Sequence, residues 1–308
     1  MSASAAPTRD APPPAKRRRR RQVAPYVFAA AAALYLLAFT ATPLFRGVDM
    51  SFTDTRLLNP TGGRYIGFDN YVSVLGGAAF WNSVATTLVY TGATVACSLV
   101  FGTAAAVLIN RAFPGRTFAR AVMTLPWAVP TVAVVLVFRW IYNDGTGVAN
   151  QVTGALGLGQ PNWLIDPRYG MLAVLIATVW KVTPFVMLVV LAALQSVPDE
   201  LYEATRVDGA DGLSTFKAVV LPYLMPTLRV VALLMTIWSF RRFEIIFLLT
   251  GGGADTNTIV VHVYREAFLN SDLGTAAAIG MLGLVLSLIV TVVYFVMERR
   301  AMLQEGDR

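Results

Sequence analysis

Residues 201–222 read LYEATRVDGADGLSTFKAVVLP and form a polar insert between two long apolar runs. A helix is expected to begin just before this insert, because Ser196 can cap the first turn and Pro198 has a backbone angle suited to it. Gly209 and Gly212 favour a break in this helix, and Ser214 can cap a second helix that follows. The stretch therefore predicts a short helix, a turn and another helix, held at a membrane surface by a span on each side.

The composition is that of a membrane protein. Of 308 residues, 56% are hydrophobic and 14% are charged, and the mean hydropathy is +0.59, which is too apolar for a water-soluble globule. Several apolar runs approach the roughly 20 residues that a helix needs to cross a bilayer. We therefore predict an all-α polytopic membrane protein with six transmembrane helices. The predicted spans cover residues 23–45, 82–109, 118–142, 169–194, 224–249 and 273–297.

The third predicted span should not be a straight helix. It contains Pro126 and Pro130, and proline both lacks a backbone donor and clashes with the preceding turn of a helix. A kink or a locally unwound stretch is therefore expected in this span.

The positive charges gather at the ends of the apolar runs. Six spans place both termini on one side, and the segments predicted there, residues 1–22, 111–120, 195–222 and 298–308, hold 15 of the 25 Lys and Arg residues. By the positive-inside rule this side is cytoplasmic. The basic tail of residues 1–22 is expected to be disordered and to lie beside anionic lipid. A nucleic-acid-binding arm is the alternative, but a span follows this tail at once, so no nucleic-acid partner is predicted.

The sequence contains none of the catalytic motifs sought in it. It lacks a Gly-x4-Gly-Lys-Ser/Thr phosphate loop, so the chain is not expected to hydrolyse ATP itself. His-Glu-x-x-His and Gly-x-Ser-x-Gly are absent as well. The one histidine, His262, is expected on the surface of an external segment, and neither a metal site nor a catalytic residue is predicted.

Ionisable side chains inside the spans are candidates for a binding site, because an unpaired charge in hydrocarbon costs at least about 2.5 kcal/mol. Lys181 lies near the middle of the fourth span, and Arg242 lies in the fifth beside Trp238 and Ser239. An aromatic ring flanked by donors suits a sugar, whose apolar face stacks on the ring while its hydroxyls accept hydrogen bonds. Alternatively, Arg241 or Arg242 pairs with Glu244, and the tryptophans belong to the membrane interface.

The polar insert also resembles a known motif. Glu203-Ala204-Thr205, Gly209, Val219 and Leu221-Pro222 are spaced as in the EAA loop of the permease subunits of ABC importers, with Thr205 and Val219 as conservative departures. The resemblance implies the fold of a type I importer permease, in which residues 195–222 are a cytoplasmic coupling loop. It further implies that an ATPase cleft receives Glu203, Ala204, Asp208, Gly209, Leu221 and Pro222. The alternative is an ordinary amphipathic cytoplasmic loop.

Residues 23–297 are similar to the sugar permeases of the maltose and glycerol-phosphate type, most specifically from Trp180 to Phe268. Within that family, the narrower likeness is to permeases of actinobacterial trehalose uptake. The resemblance implies a sugar, a disaccharide such as trehalose or maltose, that binds between the spans of two related permeases. Carried across by position, its lining comprises Lys181, Val182, Phe185, Met235, Trp238, Ser239 and Arg242.

The resemblance also implies a transport complex in the cytoplasmic membrane. Its other members are a second permease, two ATPase subunits that bind ATP and magnesium, and an extracytoplasmic sugar-binding lipoprotein; this chain itself binds no cofactor. The ATPase cycle would switch the permeases between inward-open and outward-open states. The alternatives are a gradient-driven carrier or channel and an intramembrane transferase. The first would need an acidic relay, which the first four spans lack, and the second a nucleophile cluster, which the sequence does not offer.

Overall fold

The chain forms helices almost throughout. The computed structural model describes residues 24–207 and 209–306, and in this part of the chain the strand-like pairings are isolated bridges, such as Thr53 with Tyr65. The predicted all-α fold is confirmed. The tail of residues 1–22 lies outside the described residues, so its disorder stays a prediction.

The chain divides into two compact units, Met1–Arg46 and Gly47–Arg308. The first helical elements are α1 (Ala24–Leu36), a π-helical stretch (Leu37–Ala41), α2 (Thr42–Met50), α3 (Asp69–Gly76), α4 (Ala78–Asn110), α5 (Arg116–Ala128), α6 (Thr131–Ile141) and α7 (Val148–Ala155). They are followed by α8 (Pro167–Leu194), α9 (Asp199–Val207), α10 (Gly212–Thr215), a second π-helical stretch (Phe216–Val220), α11 (Leu221–Phe240), α12 (Glu244–Thr250), α13 (Ile259–Tyr264), a third π-helical stretch (Arg265–Leu269) and α14 (Leu273–Gly306).

Five helical stretches are long and apolar enough to cross a membrane. They are Tyr26–Met50, Ala78–Asn110, Pro167–Leu194, Gly212–Phe240 and Leu273–Arg299. Helices α5 and α6, bent by 97° relative to each other, make a sixth span when they are counted together. Counted in this way, the described residues hold the six spans that hydropathy predicts.

The bend in the third span lies at Val129 and Pro130. Val129 has the extended backbone angles φ −69° and ψ 134°, and Pro130 immediately precedes α6. Because a proline ring disfavours helical angles for the residue before it, α5 ends here. The expected interruption of the third span is therefore found, and its cause is local.

The fifth span begins and ends earlier than predicted, since it runs from Gly212 to Phe240. The expected span of residues 224–249 is divided, because α11 ends at Phe240 and Glu244 begins the separate helix α12. Neither proline nor glycine marks this break, and apolar residues continue beyond it, so the hydropathy pattern does not reveal it. The physical reason is the charge at Arg241, Arg242 and Glu244, which an uninterrupted span would carry into the apolar layer.

The core depends on close packing between α4 and α8. A Cβ atom at Gly102 on α4 would lie 2.5 Å from the Val186 Cβ atom and 3.2 Å from the Met187 backbone nitrogen on α8. Both α8 residues are fully buried. Elsewhere on the same helix pair, the buried hydroxyls of Tyr90 and Thr178 share a hydrogen bond of 3.0 Å. The fourth span is therefore held against the second by a small residue and by a polar contact, as is usual between membrane helices.

Replacing Gly102 by alanine should force α4 and α8 apart. We expect Gly102→Ala to lower the free energy of unfolding by about 1–3 kcal/mol, because overpacking at a tight core contact requires backbone movement. Gly92→Ala is the matched control, since Gly92 lies on the same helix and an added Cβ atom there meets nothing within 4 Å. Thermal unfolding of the two variants in detergent measures the difference. Equal unfolding temperatures would contradict this packing.

Candidate functional site

The first candidate site is the polar segment of residues 195–222, called here the coupling segment. After α9 the chain turns at Gly209, whose φ is +71°. The Ala210 N–H donates to the Thr205 carbonyl at 3.0 Å. This hydrogen bond completes a C-terminal helix cap, in which glycine is the preferred residue for the left-handed backbone position. Helix α10 follows and leads into the fifth span. The helix, turn and helix predicted from the sequence are therefore present.

The caps of these helices differ from those predicted. Asp211, not Ser214, caps α10, and its carboxylate accepts from the Ser214 N–H at 2.8 Å. Hydrogen bonds from the Ser214 side chain and backbone lower the pKa of the Asp211 carboxyl group. Ser196 does not cap α9, because its hydroxyl donates back to the Ala193 carbonyl at 2.8 Å. Both predictions are wrong for one reason: a side chain caps a helix from the position directly before its first residue.

The coupling segment exposes most of the residues predicted to meet an ATPase. The exposed ones are Glu203, Ala204, Gly209 and Pro222. Leu221 is half-buried, and Tyr202 anchors α9 by packing against the core of α4, α8 and α11. Asp208 lies outside the described residues. The coupling roles of these residues stay predictions, because no contact with another chain tests them.

The second candidate site lies where the third, fourth and fifth spans meet, and Lys181 on α8 is at its centre. This side chain is buried, and its Nζ atom donates a hydrogen bond of 2.6 Å to the Val129 carbonyl. Val129 follows the last residue of α5, where a helix leaves carbonyl groups without an internal partner. A cation is favourable at this negative end of the helix dipole. The buried lysine therefore stabilises the break in the third span.

Three aromatic rings from these spans form a continuous cluster, the aromatic cluster of Trp127, Phe185 and Trp238. The Phe185 centroid lies 6.0 Å from that of Trp127 and 4.8 Å from that of Trp238. The Trp127 and Trp238 side chains are 50% and 40% exposed, so ring surface remains available to a ligand. Sequence reasoning missed Trp127; its position between the two prolines of a broken span was the signal that could have found it.

A cavity of about 450 Å³ adjoins the aromatic cluster at the end of α11. Its lining consists of Trp238, Arg241, Arg242, Phe243 and Glu244. The Arg242 Nε atom and the nearby Ser239 hydroxyl are buried without a hydrogen-bond partner. Among the described residues, neither arginine forms an ion pair with Glu244, so the internal pairing considered as an alternative is not made. Ring surface and unused donors thus lie side by side.

Two residues predicted in the lining lie elsewhere. Val182 and Met235 are buried in the apolar core that α4, α8 and α11 share, together with residues such as Val186. They do not line the cavity beside Trp238. A role for them in binding stays a prediction, and it would require the spans to separate.

His262 is not a surface residue as expected. It is half-buried on α13, and its Nδ1 atom lies 3.2 Å from the Ser83 hydroxyl on α4. Burial lowers the pKa of its imidazole. In the part of the chain that the structure describes, no group of three or more His, Cys, Asp or Glu residues is arranged to hold a metal ion.

The architecture agrees with a family comparison. The sequence pattern of the binding-protein-dependent transport system inner membrane component matches residues 98–302. The chain belongs to this family. It is therefore an integral inner-membrane permease of an ABC importer and not an enzyme, and the ATPase of such an importer is a separate subunit.

Relatives of this permease include permease proteins of two transport systems from different organisms. The trehalose/maltose transport system permease protein MalF of Thermococcus litoralis is 38% identical over 236 residues, covering 76% of this chain and 80% of that protein. The diacetylchitobiose uptake system permease protein DasB of Streptomyces coelicolor is 32% identical over 294 residues, covering 92% of this chain and 88% of that protein.

Solved structures share the fold. A chain of a bacterial ABC transporter involved in the import of the acidic polysaccharide alginate superposes with a TM-score of 0.80 at 24% identity, covering 91% of this chain and 96% of that chain. A second structure of the alginate transporter, in complex with an alginate pentasaccharide-bound periplasmic protein, matches with the same TM-score of 0.80 at 25% identity. The predicted fold of a type I importer permease is confirmed.

The hydrogen bond from Lys181 should hold the broken third span closed. We expect Lys181→Met to raise amide exchange at Val129 and in residues 131–134 about tenfold, because losing a charged donor to a half-buried carbonyl costs on the order of 1.5 kcal/mol of local stability. Arg168→Met is the control, since Arg168 is exposed at the start of the same helix. Hydrogen–deuterium exchange with mass spectrometry resolves the segment. An increase of the same size in both variants would refute the role of Lys181.

Proposed function

We propose that this permease forms one half of the translocation pathway of an ATP-driven sugar importer. One observation carries the proposal: the coupling segment joins the end of α8 to the start of α11, and these two helices carry the Phe185 and Trp238 rings. A movement of the coupling segment would therefore shift both α8 and α11, and with them the Phe185 and Trp238 rings. This is the mechanical link that an importer needs between an ATPase and its pathway.

The complex comprises this permease, a second permease, two ATPase subunits and an extracytoplasmic sugar-binding lipoprotein. ATP and magnesium are held by the ATPase subunits. Both termini and the coupling segment face the cytoplasm, as the distribution of Lys and Arg supports. The alginate transporter in complex with its periplasmic protein supports an external partner for this permease as well.

Coupling works through the exposed face of the segment. Glu203 offers a carboxylate to a basic group in the ATPase cleft, and the turn at Gly209 lets α9 and α10 enter that cleft as a bent unit. Asp208 completes this contact. Closure of the ATPase pair then moves α8 and α11 as rigid bodies and switches the two permeases between inward-open and outward-open states.

The sugar binds at the aromatic cluster and the adjoining cavity. Its apolar face stacks on Phe185 and Trp238, while its hydroxyls accept hydrogen bonds from Arg242 and donate to or accept from Ser239. Lys181 donates one of its three N–H groups to the Val129 carbonyl, and the other two can donate to a ligand or to water. Val182 and Met235 join the lining when α8 and α11 separate during the cycle.

The cargo is a disaccharide such as trehalose or maltose. The name of the Thermococcus litoralis relative, which is 38% identical, supports this class. The relative named for diacetylchitobiose uptake supports a disaccharide more generally. The aromatic rings and the hydrogen-bond donors beside the cavity at Trp238 also favour a sugar as the ligand.

The turn at Gly209 should be required for coupling. We expect Gly209→Val to reduce sugar-stimulated ATPase activity of the reconstituted complex about tenfold, because a β-branched residue at positive φ is strongly disfavoured and the segment must refold locally. Gly212→Val is the matched control: it lies three positions away in the same segment, without a positive φ, and an added Cβ atom meets nothing within 4 Å. Full stimulation in the Gly209 variant would refute the coupling role.

The Trp238 ring should be required for the sugar. In proteoliposomes that contain all subunits and the binding lipoprotein, we expect Trp238→Ala to reduce uptake of trehalose or maltose about tenfold or more, and Trp238→Phe to retain most of it, since stacking needs a ring. Trp140→Ala is the control, because Trp140 is exposed on α6 and lines a different cavity. ATP-independent uptake by the permease alone would overturn the importer assignment.

A further inference from the structure

A further cavity with polar side chains in its lining lies at the start of the coupling segment, separate from the aromatic cluster and the cavity beside Arg242. Its volume is about 270 Å³, and it is lined by Arg116, Thr117, Arg120 and Gln195. Arg116 and Arg120 are one turn apart on α5, and Gln195 directly follows the last residue of α8. We call this cavity the arginine pocket.

The arginine pocket holds donors without acceptors. The Nε atoms of Arg116 and Arg120 are both buried and lack a hydrogen-bond partner. The ion pairs found among the described residues, Arg56 with Asp272 and Arg64 with Asp54, include neither of these arginines. A buried donor that is left unpaired is costly, and two adjacent cations repel each other. The pocket therefore offers two unpaired guanidinium donors, which suit an anionic group.

The backbone adds to the positive potential. Arg116 is the first residue of α5, and Gly115 before it has a φ of +84° and supplies no side-chain cap. The start of a helix is its positive end, where acidic groups are favourable and basic ones are not. Two arginines in the first turns of an uncapped helix thus oppose the dipole unless an anion lies between them.

The surroundings of the pocket indicate where such an anion comes from. Phe113 and Phe118 flank the start of α5 and are 41% and 76% exposed, and exposed apolar rings of this kind suit contact with lipid. The volume is below the roughly 300–1,000 Å³ of pockets that hold drug-sized ligands. A phosphate group fits this space.

We propose that the arginine pocket binds the phosphate group of an anionic phospholipid, in the leaflet next to the coupling segment. The planar guanidinium forks of Arg116 and Arg120 match phosphate oxygens, and the Thr117 hydroxyl and Gln195 amide supply further donors. Basic pockets between membrane helices on the cytoplasmic side bind lipid headgroups in this way. The bound headgroup joins the start of the third span to the exit of the fourth, where the coupling segment begins.

The binding is measured on the purified full chain in detergent micelles, with spin-labelled phosphatidylglycerol compared with spin-labelled phosphatidylcholine. We expect a preference for phosphatidylglycerol, and we expect Arg116→Gln and Arg120→Gln each to weaken it about tenfold or more, as for the loss of a charge-assisted hydrogen bond. Arg111→Gln is the matched control, because Arg111 is exposed at the same end of the chain and does not line the pocket. Arg111→Gln should weaken the binding of phosphatidylglycerol about fivefold or less, which is the effect of a general attraction to an anionic surface.

Several results would overturn the proposal. Equal losses in all three glutamine variants would mean that the attraction is general and that no pocket exists. Inorganic phosphate binding to the chain, lost in Arg116→Gln and Arg120→Gln without any preference for phosphatidylglycerol, would assign the pocket to free phosphate instead. If Arg116→Gln and Arg120→Gln retained lipid binding but no longer co-purified with ATPase subunits, the arginine pocket would be a contact with another protein.

Two charge-preserving variants keep the proposal testable if the glutamine variants fail to fold. Arg116→Lys and Arg120→Lys keep the charge but lose the two-pronged donor, so we expect phosphatidylglycerol affinity to fall about threefold. Unchanged affinity in both lysine variants would contradict the proposed geometry. Because neither sugar nor ATP takes part in these measurements, their outcome is independent of the transport function proposed above.

Discussion

A backbone carbonyl inside an apolar layer needs a donor, and the third span of this permease takes one from the fourth. Pro130 forces Val129 out of helical geometry, so α5 ends and its last carbonyl groups lose their internal partners. The Lys181 ammonium supplies the donor at 2.6 Å. Lipid offers no water for this purpose, so an irregular backbone at such depth persists only where protein satisfies it. The lysine and the proline break therefore depend on each other.

The broken span also places the rest of the candidate site. Trp127 lies at the end of α5 and contacts Phe185, which in turn contacts Trp238. Beyond this aromatic cluster, α11 stops at Phe240, and the turn that follows carries Arg242 beside an open cavity. Both interrupted spans thus pack against α8, and the helices that follow the two breaks, α6 and α12, contact each other. Each interruption releases polar groups that a continuous helix would have kept to itself.

The coupling segment is connected to both sides of this arrangement. It begins where α8 ends and finishes where α11 starts, and the Tyr223 hydroxyl donates to the Ser196 carbonyl at 2.9 Å, so its entry and exit are joined. Tyr202 fixes α9 to the core, while the neighbouring Glu203 remains exposed. The coupling segment is therefore fixed to the core where it leaves α8 and enters α11, and it is exposed to solvent at Glu203. The arginine pocket lies beside the start of this segment, where a bound headgroup would stiffen the junction of the third and fourth spans.

The six apolar spans, the interruption at Pro130 and the turn at Gly209 were determined by the sequence alone, because hydropathy and backbone freedom are properties of single residues and their near neighbours. The end of α11 at Phe240 was not, since charged residues without a proline or glycine do not mark a break. Only the tertiary structure decided that Trp127 joins the aromatic cluster, that Val182 and Met235 lie in the core, and that Arg242 faces a cavity instead of pairing with Glu244. These outcomes depend on which faces of separate helices meet, and that is set by packing between residues far apart in the chain.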